Sequence, residues 1–143
     1  PVLFAALAIS GAGCSSGDDG DEGLSIAGSY TDGFGGTHEI ASDTWVQTAD
    51  FGSGPQSSTF HLTRYDNTKH WVVGQNDAAN AFNPGQWSRF DWAAAGAKLY
   101  FCQVAYAAVD EAAAIATAAA DATDPAAGGC GGFPWSELTP VAK

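Results

Sequence analysis

Cations are scarce in this chain: five Lys+Arg stand against sixteen Asp+Glu, a formal net charge of −11 over 143 residues. Binding to a nucleic-acid backbone depends on clustered cations that displace counterions, so nucleic acid is not expected as a partner. No apolar run approaches the roughly 18 residues of a membrane-spanning helix. Also missing are a G-x-S-x-G nucleophile elbow, a phosphate-binding glycine loop, a G-x-G-x-x-G after a strand and an H-E-x-x-H helix, and with them the chemistries those spacings serve. Histidine is limited to His38, His61 and His70 on separate expected strands, and no CxxC occurs, so no metal site, cofactor or catalytic residue is assigned. Methionine is absent altogether, so a sequence starting at Pro1 reads as one without its initiator end. What the chain does have, 45% hydrophobic and 12% aromatic residues, suits the core of one domain and is too apolar for a disordered chain.

The apolar stretch Pro1-Val2-Leu3-Phe4-Ala5-Ala6-Leu7-Ala8-Ile9 has the length of an export-signal core and is followed by the small residues Ser10-Gly11-Ala12-Gly13 and by Cys14. Small residues running into a cysteine, with Ser15-Ser16 behind it, resemble the lipobox of bacterial lipoproteins. That resemblance implies a signal peptide over residues 1–13, a diacylglycerol on the Cys14 thiol, and a membrane partner reached through that lipid. Ser15 rather than Asp after the cysteine implies the outer membrane. Gly11 stands where a larger aliphatic residue is usual, which keeps open cleavage after Ala12 and a secreted form. Residues 14–29, rich in Gly, Ser, Asp and Glu, read as a flexible tether stretched by self-repulsion.

Residues 30–140 are expected to fold as one β-rich domain, with residues 141–143 a tail. Period-two alternation marks strands at Thr37–Ala41, Thr44–Phe51, Ser58–Tyr65, His70–Gln75, Trp87–Trp92 and Lys98–Val104, joined mostly by hairpin-length turns. Such a small antiparallel meander should form a barrel or a strongly bent sheet, because flat open edges invite aggregation. Phe60 and Leu62 should share a face with Arg64, and Leu99 with Phe101, opposite Tyr100, Cys102 and Val104. Aromatics on both faces call for a second packing layer. The Ala-rich stretch Ala108–Ala119 supplies it as a helix with Asp110 and Glu111 in its first turn, Val109, Ala112, Ala113 and Ala116 as its stripe, and Asp124-Pro125 as its stop.

If Cys14 carries a lipid, Cys102 and Cys130 are left to pair, a disulfide that contributes about 3–4 kcal/mol by loop entropy. Candidate ligand contacts are Trp71, Trp87 and Trp92, which adjacent strand pairing would gather as core or cavity wall, with Arg89 and, on the long Asn76–Gln86 connection, Asn80. The segments Gln75–Asn80, Trp87-Ser88-Arg89-Phe90-Asp91-Trp92, Tyr100-Phe101-Cys102-Gln103 and Gly129–Trp135 resemble small lipoproteins encoded in myxobacterial genomes. That resemblance implies envelope location and brings no catalytic residue or substrate. The expected function is a lipid-anchored envelope domain, outward-facing and either structural or binding a small molecule, a glycan or a protein. The alternative is a small secreted hydrolase using carboxylates or a histidine, which a pocket holding Glu39, Asp91 and a histidine within hydrogen-bond reach would favour.

Overall fold

The computed structural model describes residues 22–143, so the expected signal peptide, Cys14 and the first half of the tether lie outside the described residues. Eight strands, β1 (Gly28–Thr31), β2 (Thr37–Ile40), β3 (Thr44–Asp50), β4 (Pro55–Asp66), β5 (Trp71–Asn76), β6 (Trp87–Ala95), β7 (Lys98–Ala108) and β8 (Ser136–Pro140), form a closed antiparallel barrel in chain order. The meander is thus a barrel rather than a bent sheet. All six expected strands are present. The two that pattern reading missed, β1 and β8, are short and close the barrel through the pairs Tyr30↔Pro140 and Thr31↔Thr139.

Period-two alternation sends one row of each strand inward. Trp45 is fully buried and stacks on Phe90 at 4.4 Å, while Phe60 meets Phe90 edge-on at 4.9 Å and Phe101 lies 5.4 Å from Trp45. Each ring removes enough apolar area from water to stabilise the fold by about 1.5–3 kcal/mol. A register shift between Leu62 and Arg64 corrects one face assignment. The extra residue, Thr63, inverts the alternation, so Tyr65 rather than Arg64 follows Leu62 into the core.

The fold also begins earlier than residue 30. Leu24 and Ile26 are core residues, fixed where Ala27 donates to the Leu24 carbonyl, Ser25 donates to Asn67 Oδ1 and the Tyr65 hydroxyl donates to the Glu22 carbonyl. Two apolar residues among Gly, Ser and Asp suffice to plug one end of the barrel, so the end of the expected tether belongs to the domain.

The helix is shorter than expected. α1 (Glu111–Ala116) is capped by Asp110, whose carboxylate accepts from Ala113 N at 2.8 Å, and it stops at Thr117 rather than at Asp124-Pro125. The cause is tertiary: Arg89 donates to the Ile115 and Thr117 carbonyls at 2.7 and 2.6 Å, and the next residues run on so that Ala120 N donates to Asp91. Alanine's helix propensity yields to those bonds. Ala114, not the expected stripe, is the buried side of α1, and Val109 is largely exposed. Cys102 and Cys130 form a disulfide with Cα atoms 5.7 Å apart, in an outer cluster with Tyr100, Ala93 and Trp135.

Because consecutive strands alternate in direction, the β1–β2, β3–β4, β5–β6 and β7–β8 connections share one pole. The β2–β3, β4–β5 and β6–β7 turns share the other, where Ser25 reaches Asn67.

Candidate functional site

The first pole is open. Between β3, β4, β6, β7 and the β5–β6 connection lies a cavity of about 430 Å³, within the range of small-molecule sites. Eight strands is the size at which a barrel interior either fills with side chains or holds one small ligand, and here it does each at a different height. Near the middle Trp45, Phe60, Phe90 and Phe101 fill it. One step toward the open pole the inward row turns polar: Ser88 follows Phe90 and Gln47 follows Trp45.

The floor is a fully bonded polar network. Ser88 Oγ donates to Asn76 Oδ1 at 2.6 Å and accepts from Gln103 Nε2 at 3.1 Å, while Asn76 Nδ2 donates to the Asn83 and Tyr106 carbonyls at 2.8 and 3.0 Å. Buried polar groups are tolerated at this cost only when satisfied, and a satisfied network is rigid. Asn80 clamps the loop to β4: its Oδ1 accepts from Thr59 N and its Nδ2 donates to Thr59 O, both at 2.8 Å. Asp77 adds a second pin, accepting from Ala79 N at 2.8 Å and meeting His61 Nε2 at 2.6 Å. The Ala79 amide first, then His61, hold the Asp77 carboxyl below its ordinary value.

Above the floor, Phe51 and Phe82 project from turn tips with 79% and 69% of their surface exposed, and Tyr106 stands beside them. No ionisable carboxylate, lysine, arginine or histidine lines this cavity. Gln47 Nε2 is the single buried side-chain polar atom among the described residues without a hydrogen-bond partner, and it borders the space.

Gln47 and Phe51 also border a second concavity of about 440 Å³ toward the β1–β2 turn, lined further by Asp32, Phe34, His38 and Phe101. Asp32 builds that turn: its Oδ1 accepts from Phe34 N and Gly36 N, both at 2.8 Å, and its Oδ2 faces His38 Nε2 at 3.0 Å. A Cβ at residue 36 would collide with the same carboxylate, which requires glycine there. Burial raises the Asp32 pKa, but His38 and the two amides outweigh it, and the carboxyl sits below its ordinary value. His38 is lowered by burial, against the pull of Asp32.

Of the five side chains proposed from sequence as ligand contacts, the structure places only Asn80 in the cavity. Trp92 is buried in the core, its ring 5.6 Å from His70. Trp71 and Trp87 are half-buried on the outer face, so the three rings do not gather. Strand parity is the reason: Ser88, Phe90 and Trp92 point in, whereas Trp87, Arg89 and Asp91 point out. Arg89 is buried against Asp91 at 2.8 Å, lies 5.6 Å from the Trp71 ring and holds the end of α1, a structural position. Glu39 and Asp91 do not converge on a histidine, since Glu39 takes the Ser29 hydroxyl and Asp91 takes Arg89 and Ala120. Sequence reading missed Gln47, Phe51, Asn76, Phe82, Ser88 and Gln103. The available signal was a polar residue interrupting an inward aromatic row, as in Ser88-Arg89-Phe90-Asp91-Trp92.

Among the described residues no group of three or more His, Cys, Asp or Glu could hold a metal ion, and no helix is long and apolar enough to cross a membrane. No family model, curated protein or solved structure matches this chain.

Proposed function

We propose that the domain is a binding module that holds an uncharged, hydrogen-bonding small molecule in the open pole of its barrel, and that a lipid on Cys14 carries it in the cell envelope. The observation that carries the binding reading is the chemistry of the cavity: neutral amides and hydroxyls on its floor, aromatics on its rim and no carboxylate, lysine, arginine or histidine in its walls. A charged ligand would lose hydration there without gaining a counter-charge. A neutral ligand with donors and acceptors exchanges water for fixed partners at little reorganisation cost. The envelope reading rests on the lipobox-like end, and the polarity of the barrel agrees with it: the described chain begins at the plugged pole, so an anchored tether would leave the open pole facing outward.

The test is ligand-observed NMR on the full chain with three panels of small molecules: neutral polyols and amides, anions such as citrate, and cations such as choline. Saturation transfer is expected from the neutral panel alone and is lost in Gln103→Leu. Signals from the charged panels alone, or neutral signals unaltered by Gln103→Leu, overturn the proposal.

A further inference from the structure

We infer that the ligand is a linear neutral glycan, with one sugar unit in the amide-floored cavity and the next across Phe51 in the neighbouring concavity. This inference rests on the binding reading above and deepens it.

Three independent features converge on that class. The first is the pairing of amides with exposed aromatic faces. A pyranose presents hydroxyls around its edge and C–H bonds on its flat faces; the hydroxyls match the amides of Gln56 and Gln103, and the C–H face packs on the negative face of an aromatic ring. Phe51 and Phe82 stand at turn tips with their rings in water, open to the C–H face of a ligand.

The second is geometric. The two concavities, about 430 and 440 Å³, share Gln47, Ala49 and Phe51 as a common wall. Gln47 Nε2, a buried donor without a partner, sits on that wall. An unsatisfied buried N–H is costly, so a turn of the Gln47 amide toward an arriving acceptor oxygen recovers that cost. A glycan spanning the wall brings hydroxyl and linkage oxygens to that spot while its rings flank Phe51.

The third is exclusion. A peptide captured by adding a strand needs a sheet edge, and a closed barrel has none. An acyl chain would cover the side-chain amides of Gln56 and Gln103, which line the cavity, and offer them no hydrogen bond. Anionic ligands meet Asp32, Asp50 and Asp77 around this pole, and no Lys or Arg lines either concavity. An uncharged polymer of hydroxylated rings is the class that meets none of these penalties.

The experiment is isothermal titration of the full chain with two homologous series: glucose, cellobiose and cellotriose, and N-acetylglucosamine with its dimer and trimer. In at least one series, affinity is expected to rise about tenfold or more from one unit to two, the increment of an added stacking subsite. Phe51→Ala should erase that rise, and Phe82→Ala should weaken monomer and dimer alike. Both rings are exposed, so unchanged thermal melts show that the variants remain folded. Equal affinity for monomer and dimer, or a rise that survives Phe51→Ala, overturns the two-unit arrangement. Binding of a neutral non-sugar in the panels above with none of either sugar series overturns the glycan and leaves the binding module standing. Silence in both experiments overturns both.

Discussion

The indole N–H of Trp45 donates to Nδ1 of His38 at 3.2 Å, and this bond fixes the tautomer of a histidine buried beneath the open pole. With Nδ1 accepting, the ring proton resides on Nε2, where Asp32 Oδ2 takes it at 3.0 Å. A second proton would have to displace the indole. Both nitrogens are therefore committed, and the ring serves as a rigid link between the core and the β1–β2 turn.

That link makes stability depend on pH in a defined direction. The folded-state pKa of His38 is depressed, so its contribution is complete above the ordinary value of 6.5 and is lost as pH falls below that toward the folded value. Asp32 is depressed too, so its contribution is complete above 3.8 and is lost as pH falls further. Denaturant unfolding at pH 7.5, 5.5 and 3 should show two successive losses. In His38→Gln the loss between pH 7.5 and 5.5 should shrink; an unchanged slope there would disprove the assignment.

The tryptophans should separate by face. Trp45→Ala and Trp92→Ala remove buried rings, and each should destabilise the domain by about 3–5 kcal/mol. Trp87→Ala trims a half-buried ring on the outer surface and should cost roughly 1 kcal/mol. Urea melts monitored by far-ultraviolet dichroism decide it, and equal losses at positions 87 and 92 would contradict the inward and outward rows.

The disulfide should matter to the outer layer and to the whole domain. Cys102→Ala is expected to lower stability by about 2–5 kcal/mol, and non-reducing peptide mapping should recover Cys102 linked to Cys130. Hydrogen exchange should accelerate first between residues 117 and 133, which the bridge holds against β7. Free thiols at both positions in protein purified without reductant would refute the bridge.

Expression of the full sequence behind an initiator in a bacterium that processes lipoproteins tests the anchor. Intact mass should show a diacylglyceryl adduct that Cys14→Ala abolishes. An unmodified chain beginning at Gly13 would establish the secreted form instead.

How much of this was legible beforehand differs between scaffold and site. The strands were readable because Phe60, Leu62, Leu99 and Phe101 recur with period two between strong turn signals. β1 and β8 were not, since Gly28–Thr31 and Ser136–Pro140 are too short and too polar to carry a period. The stop of α1 was hidden because Arg89, whose donors end it, is distant in sequence. The site was the least visible part. Asn76, Ser88 and Gln103 are ordinary polar residues until pairing puts them in one layer, and Trp71 and Trp87, the conspicuous side chains, fall on the wrong parity. Asn80 alone was found, because a long connection between strands is where ligand contacts concentrate.

The seam between β1 and β8 has a consequence for how the protein comes into being. Tyr30 pairs with Pro140, so the ring of strands cannot close until the chain has been synthesised past residue 140. A loop spanning most of the chain must be closed for a contact of only two registered pairs, which delays completion relative to the hairpins that form locally. Until then the molecule has two unpaired edges, and the four and five residues of these strands keep each one short. A nascent chain of this kind leaves the ribosome with hairpins but no finished barrel.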